Sequence, residues 1–317
     1  TKILRKLPLK FQKYNISKIE SGASKKIFYR LSNNNKTFIV INFSPYKQEY
    51  DNYVKVYNLL KDINISIPKI IERNDKESIL ISEDFGNSRF DKIIKKELLK
   101  ELLQYAVDTL VIIKNSIKFD NTLMLPKYNL NIFQNEIIEL TKYYFPFINL
   151  NSNEELKNEF IFIWSESYAN INFDFNNFAH KDFNMNNLIF RSSEVGHLKC
   201  GVIDFQSAFW GDSTWDLFSL LEDSRMLFTD EFNDYFIEYF YSLTNQNISL
   251  NYFKIKFHFL NCSRQTRLLG RWVKLSKELK QKWYLDFIPV TQSRLNKSIN
   301  LLNNKKLSEF YKKYTFN

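Results

Sequence analysis

At 317 residues, the chain has room for one large domain or two lobes, at about 150 residues per domain. Apolar residues make up 44% and charged residues 25%, which excludes a disordered chain, and only six glycines and six prolines exclude collagen-like and flexible-linker architectures. Forty-five basic against 35 acidic residues give a net charge of +10; spread along the chain and not gathered in an arm, the excess reads as compositional drift toward Lys, Asn, Ile and Phe, with no nucleic-acid or anionic-membrane partner.

The first residues, TKILRKLPLKFQK, lack the continuous apolar segment of a signal peptide, and no apolar run approaches the roughly 18 residues of a membrane span. Two scattered cysteines, Cys200 and Cys262, and three histidines support neither a disulfide framework nor a zinc ribbon. The expected location is the cytoplasm. Residues 14 to 43 alternate as strands do: YNISKIE, KIFYRL and KTFIVINF are short β-branched and aromatic runs separated by SGAS and SNNN. They predict an antiparallel meander ended by Pro45. Tyr50, Tyr53, Val54, Tyr57 and Leu60 then fall at helical spacing over 47 to 60, and IPKIIERN and ESILISED are strand candidates around a turn at Asn74-Asp75. The first 83 residues therefore predict a five-stranded sheet with one helix inserted after the third strand.

After Gly86 the period changes. Leu98, Leu99, Leu102, Leu103, Ala106, Leu110 and Ile113 mark a helix over 95 to 115, and Ser152 with Glu155 reads as a capping box opening a helix to about Asn170. Residues 214 to 224, 231 to 243, 250 to 279 and 284 to 302 also read as helices. Between 178 and 206 two short strand-like pieces intervene, NLIF and CGVIDF. The expected fold class is α+β, with a small antiparallel-sheet lobe over 1 to 83 and a larger, mostly helical lobe over 84 to 317.

One pair of segments carries chemistry. Residues 180 to 187, HKDFNMNN, fit H-x-D-x-x-x-x-N, and Asp204-Phe205-Gln206 follows an apolar strand 22 residues after Asp182. That order is the kinase catalytic loop followed by a metal-binding Asp, with DFQ where protein kinases have DFG. Phosphoryl transfer needs a carboxylate to orient the attacking hydroxyl and accept its proton, the role open to Asp182. It also needs hard oxygen ligands for Mg²⁺, open to Asn187 and Asp204. Asx residues capping turns are the other reading of the same letters. His180 reads as packing and orienting the loop backbone.

Further likeness is carried by Gly22-Ala23-Ser24-x-Lys26 through Tyr29-Arg30-Leu31, by Glu83-Asp84-Phe85-Gly86, by VIDFQSAFWGDSTWDLFSLLED, and by Arg264, Arg267, Gly270 and Leu275. On these residues the chain resembles the aminoglycoside phosphotransferase and choline kinase superfamily, small-molecule kinases with the protein-kinase fold. Within it, the chain is most similar to the cell-wall amino-sugar kinases that phosphorylate the anomeric hydroxyl of N-acetylmuramate and N-acetylglucosamine. The resemblance implies ATP and Mg²⁺ as cofactors, a sugar as acceptor and a protein-kinase-like bilobal fold, and a monomer is the expected state. Choline, ethanolamine, homoserine or an aminoglycoside are the alternative acceptors, and a nucleotide-binding pseudokinase is the non-enzymatic alternative.

The same resemblance places the phosphate-covering loop at Gly22, Ala23 and Ser24, although a strand turn needs a glycine in any case. It makes Glu83 to Gly86 the hinge that reads adenine, with Glu83 and Phe85 in the nucleotide site. Ile39, Ile41, Ile81 and Ile189 are apolar walls for the base, or plain core. The third strand departs from the protein-kinase pattern: where a Lys belongs it has Ile41, Asn42 and Phe43. Lys26 and Arg30, four residues apart on one strand face, either balance the phosphate charge or are solvated edge charges. Glu49 is the nearest carboxylate for a helix partner. Asp216 either braces the catalytic loop or sits at a helix terminus as a dipole-favoured carboxylate. Arg264, Arg267, Arg271 and Lys274 form one basic helical stripe, with Trp272, Trp283 and Tyr284 nearby. Facing a cleft it favours an anionic or neutral sugar; otherwise it is a solvated face. Glu222 and Asp223 would oppose that preference.

Overall fold

The computed structural model describes residues 3–20, 26–34, 36–44, 46–226 and 228–315, apart from the side chain of residue 96. Its elements begin with β1 (Asn15–Ile19), β2 (Ile27–Asn33), β3 (Lys36–Asn42), α1 (Lys47–Leu60), β4 (Ile70–Asn74) and β5 (Ile79–Glu83). Helices α2 (Phe90–Ile93), α3 (Lys96–Ser116) and α4 (Leu130–Ile137) follow, then a π-helical stretch at Leu140–Tyr144, α5 (Phe145–Phe147) and α6 (Glu154–Ala169). Four three-residue strands come next: β6 (Asn177–Ala179), β7 (Leu188–Phe190), β8 (Cys200–Val202) and β9 (Phe209–Gly211). The chain closes with α7 (Trp215–Leu221), α8 (Asp230–Leu243), α9 (Leu250–Glu278), α10 (Ile288–Leu302) and α11 (Lys305–Tyr314).

Packing divides these elements into two compact units, each discontinuous in sequence. The first comprises residues 1–117, 121–125 and 185–208; the second comprises 118–120, 126–184 and 209–317. Residues 83 to 86, the expected join between lobes, lie inside the first.

In the first unit the expected five-stranded sheet is present, antiparallel throughout and ordered β1-β2-β3-β5-β4. Pro45 lies outside the described residues, and the turn between β4 and β5 occupies residues 75–78. Strand alternation gives the sheet two distinct faces. Leu31, Val40, Ile79 and Ile81 pack under Ile3, Leu7 and Phe11. Phe28, Arg30, Ile39, Ile41 and Ser82 line a cavity on the other side. The register Val40↔Ile81 and Ile39↔Ser82 moves Ile81, a candidate wall for the base, to the core face. On α1 the buried side is Tyr50, Tyr53, Val56 and Leu60, with Val56 in place of the expected Val54. The strands β7 and β8 form an antiparallel pair whose Val202 N–H donates to Ser66 O at 2.8 Å.

In the second unit β6 pairs antiparallel with β9, and the 29-residue α9 supplies much of the buried surface. Gly270 lies so close to the start of the π-helical stretch that a Cβ there would stand 2.1 Å from the Glu139 carbonyl oxygen. Helix α6 is capped by Asn153, whose side chain accepts from Leu156 N at 2.9 Å. Ser152, the expected cap, has a buried Oγ without a partner. The short Asn side chain ranks with Ser at this position and stands one residue nearer the helix. The helix expected over 284 to 302 is broken at its start: Lys282–Phe287 is 3-10, and α10 begins at Ile288 with Pro289 in its first turn. Among the described residues no helix is long and apolar enough to cross a membrane.

Candidate active site

The cavity of the first unit measures about 390 Å³. Lys26, Arg30, Glu83, Phe85, Asn187 and Asp204, all singled out in the sequence, line it together with Ile39, Ile41 and Ile189. Gly22, Ala23 and Ser24 lie outside the described residues. Asn187 directly precedes β7 and Asp204 follows β8, and a bond from Ile203 N to Asn187 O (3.1 Å) holds the two ends side by side. Asp204 adopts left-handed backbone angles, φ 67° and ψ 37°, a region Asp tolerates better than most residues. The following Phe205 is buried and packs on Tyr53 with ring centroids 4.5 Å apart, anchoring the turn. Gln206 also lines the cavity, and its buried Oε1 has no partner among the described residues.

Lys26 is 4% exposed, and its Nζ lies 2.6 Å from Asp204 Oδ1. The rings of Phe28 and Phe43 each stand 5.7 Å from that ammonium. Burying an ammonium without such partners would be costly. Because Ile27 pairs with Asn42, Lys26 arrives level with the end of β3, where the protein-kinase Lys is missing. The cation comes from the neighbouring strand. Glu49 makes no ion pair among the described residues; Tyr53, one turn further along α1, faces the cavity instead. Burial, and then the charge of Asp204, pushes the Tyr53 hydroxyl up.

Arg30 is engaged elsewhere on the wall. Its Nε lies 2.6 Å from Asp84 Oδ2 and its Nη2 donates to Oδ1 at 3.1 Å, while Oδ1 also accepts from Gly86 N at 2.8 Å. Arg191, which sequence reasoning missed, fixes the same segment: its guanidinium lies 4.1 Å over the Phe85 ring and donates to Glu83 Oε1 and Ser66 Oγ, both at 3.1 Å. Gly201 makes room for that ring, since a Cβ there would lie 2.6 Å from it.

In the second unit β6 leads into the loop bearing His180 and Asp182. Asp216, at the start of α7, accepts from His180 N at 2.6 Å and from Lys181 N at 3.0 Å. The loop brace and the helix-terminus carboxylate are thus one group. Burial pushes its carboxyl up to about 7, against the pull of the two amides, and the nearby charge of Asp182 adds to the rise. His180 is buried with its ring edge-on to Phe183, at 5.7 Å. The Asp182 carbonyl accepts from both the backbone and the side-chain nitrogen of Asn184, each at 3.0 Å. Asp212, also missed, holds the approach to α7: it accepts from Thr214 N and Oγ1 and pairs with Lys256 at 2.6 Å, with both charges buried.

The basic stripe of α9 is not a solvated face. Arg267 donates to Glu136 at 2.9 Å, Arg271 pairs with Glu139 at 2.9 Å, and Lys274 lies 5.5 Å over the Tyr143 ring. The two expected opposing acids are engaged as well. Arg225 forks onto Asp223 (2.8 and 2.7 Å), and Glu222 pairs with Arg294 while accepting from Asn233. Trp272 Nε1 donates to Thr291 inside the unit, and Trp283 stacks on Tyr284.

No group of three or more His, Cys, Asp or Glu among the described residues could hold a metal ion. Asn187 and Asp204 offer an amide and a carboxylate oxygen on one cavity wall. That donor set suits Mg²⁺, which takes one or two carboxylates and completes its shell with phosphate and water.

Residues 175–245 match the phosphotransferase enzyme family, APH. The chain is 23% identical over 214 residues to the N-acetylmuramate/N-acetylglucosamine kinase of Pseudomonas aeruginosa, a match covering 64% of this chain and 58% of that protein. It is 24% identical over 246 residues to the N-acetylmuramate/N-acetylglucosamine kinase of Caulobacter vibrioides, covering 75% of this chain and 68% of that one. Among solved structures, the ADP-bound aminoglycoside phosphotransferase APH(2'')-Ib is similar with a TM-score of 0.61 at 18% identity, over 95% of this chain and 98% of that chain. The matches thus span less than two thirds of the Pseudomonas protein's length and almost all of the solved structure. The fold is the kinase-like α+β fold.

Proposed function

We propose that this chain is an ATP- and Mg²⁺-dependent kinase acting on a hydroxyl of an amino sugar, the anomeric hydroxyl of N-acetylmuramate or N-acetylglucosamine. One observation carries the reading: the buried Lys26 ammonium lies 2.6 Å from Asp204 in a cavity walled by Ile39, Ile41 and Ile189. An apolar slot ending in a compensated cation is what an adenine with a charged phosphate tail requires. It also supplies the cation that β3 lacks, which removes the motive for a pseudokinase. The names of the curated relatives support the sugar acceptor.

In this reading the base lies against the isoleucines beside residues 83 to 86, and Lys26 balances the phosphates. Asn187 and Asp204 would hold Mg²⁺, which when bound neutralises charge on the phosphate oxygens. Asp182 orients the acceptor hydroxyl and takes its proton while that oxygen bonds to the γ-phosphorus. The bond from this phosphorus to the β–γ bridging oxygen breaks, and ADP leaves. Asp216 keeps the Asp182 loop in place through the two amides it accepts from. Mass spectrometry after incubation with ATP, Mg²⁺ and a pool of amino sugars is expected to give a sugar mass increased by one phosphate, labile as an anomeric phosphate is. ATP binding with no phosphorylated product from any sugar, or product from choline alone, would overturn the assignment.

A further inference from the structure

A second cavity, of about 330 Å³, lies wholly inside the second unit and is lined chiefly by α8, α9 and α10. That volume falls at the lower end of small-molecule sites, and none of its lining residues lines the cavity of the first unit. Asn233 of α8 and His258 of α9 form part of its floor, 2% and 8% exposed. Each carries a buried polar atom with no hydrogen-bond partner among the described residues, Asn233 Oδ1 and His258 Nδ1. The Asn233 amide is fixed at its other end, where Nδ2 donates to Glu222 Oε1 at 2.7 Å. A carboxylate only accepts, so this contact leaves Oδ1 as the open acceptor. Burial, and then the charges of Lys297 and Lys254, brings the His258 imidazole down to about 4. At neutral pH the ring is therefore uncharged, with one nitrogen a donor and the other an acceptor.

The charged groups of this cavity are already matched. Lys297 pairs with Asp230 at 2.6 Å, Lys254 with Glu238 at 2.7 Å and Asp234 at 3.6 Å, and Glu222 with Arg294. Lys254, Lys297 and Arg294 thus stand against Glu222, Asp230, Asp234 and Glu238, and the spare negative charge belongs to the exposed Asp230 and Asp234 at the rim. A carboxylate reaching the floor would face Asn233 Oδ1 and Glu222, and an ammonium beside His258 would face Lys254 and Lys297. A hydroxyl avoids both repulsions: it donates to Asn233 Oδ1, and it can either donate to the His258 ring or accept from it. Ile255 and Leu301, exposed at the mouth, add an aliphatic flank for the carbon skeleton. We infer that this cavity binds a neutral polyhydroxyl compound of monosaccharide size, held by Asn233 Oδ1 and the His258 ring. The site is additional to the one assigned to phosphoryl transfer and does not rest on that assignment.

His258 is its own reporter, since His180 and His197 are the only other histidines. The experiment follows the imidazole nitrogen shifts of the isotope-labelled full chain by NMR, without ATP, the His258 signal being identified by its loss in His258→Gln. The probes are myo-inositol and glucose, with lactate and ethanolamine as charged compounds that also carry a hydroxyl. A saturable His258 shift is expected with at least one of the two polyols, at a Kd below about 10 mM, with weaker binding of both charged probes. No saturable shift with either polyol would leave the cavity to water and overturn the inference; equal or tighter binding of lactate or ethanolamine overturns it too. Ile255→Trp narrows the mouth from an exposed position and should weaken polyol binding at least about 10-fold. An unchanged Kd would put the polyol elsewhere and also overturn the inference. Asn233→Leu should weaken binding as much, but it strips Glu222 of a donor and should lower the melting temperature, so Ile255→Trp decides if that variant does not fold. Because the readout needs no ATP and no turnover, it stands or falls separately from the kinase reading.

Discussion

Lys26 and Arg264 are both buried cations near an aspartate of the catalytic pattern, one in each unit, and they are satisfied very differently. Lys26 has its aspartate at 2.6 Å and two aromatic rings around it. Arg264 sits among four charged groups with an unbonded Nη1. The first arrangement suits a partner that never changes, a nucleotide's phosphates. The second leaves a buried donor unbonded among the described residues.

The sharpest break of that contrast is to remove the aspartates themselves. Asp182→Asn and Asp204→Asn should each lower kcat by about 10³-fold or more, Asp182→Asn with a thermal melt close to wild type and Asp204→Asn with a lowered one, because it leaves the buried Lys26 ammonium uncompensated; retained sugar-dependent ATP consumption in either would refute the assigned roles. Lys26→Met should lower kcat/KM by about 10²-fold, while Glu49→Gln changes it less than about 2-fold. A large Glu49 effect would restore the helix carboxylate that the structure leaves unpaired. Stability separates the units differently. Gly270→Ala forces a methyl against the Glu139 carbonyl at 2.1 Å and should cost about 1–3 kcal/mol or more, read as a lowered melting temperature; no change would mean α9 shifts freely.

The last effect expected is in pH. With a folded-state pKa of about 7 against an ordinary 3.8, Asp216 in the folded protein keeps a proton that the unfolded chain loses. Its contribution to stability is therefore full below about pH 4 and lost as pH rises through about 7. Activity should move the opposite way, rising through about pH 7 as the carboxylate ionises to accept both loop amides. Asp216→Asn does not titrate, so it should flatten both slopes, and denaturant melts and kcat/KM profiles across pH 5–9 would show it.

Much of this was legible in the sequence because it is local. The alternation in β2 and β3 and the spacing from Asp182 to Asn187 need only neighbouring residues. What was not legible depends on partners far along the chain: Lys26 meets Asp204 across 178 residues and Arg191 meets Glu83 across 108. Periodicity showed that Arg264 to Lys274 share a face, yet not that residues 136–143 cover most of it. For Ile81 the choice between wall and core is a parity, since cavity and core faces differ by one residue. Helix α4 did have a signal, an Asn129 cap with Phe133 and Ile137 at helical spacing, hidden by its shortness. So did α11, with Asn304 ahead of Leu307, Phe310 and Tyr311.

The first unit borrows residues 185–208 from the middle of the chain, and that has a consequence for how the protein is made. A ribosome must synthesise the hairpin carrying Asn187 and Asp204 before the N-terminal sheet can receive Asp204 beside Lys26. By then α4 and α6 have already been made. Fragments ending at residue 83 or 125 should expose the apolar cavity wall and aggregate, so truncation at the apparent end of the sheet is a poor route to a soluble nucleotide-binding piece.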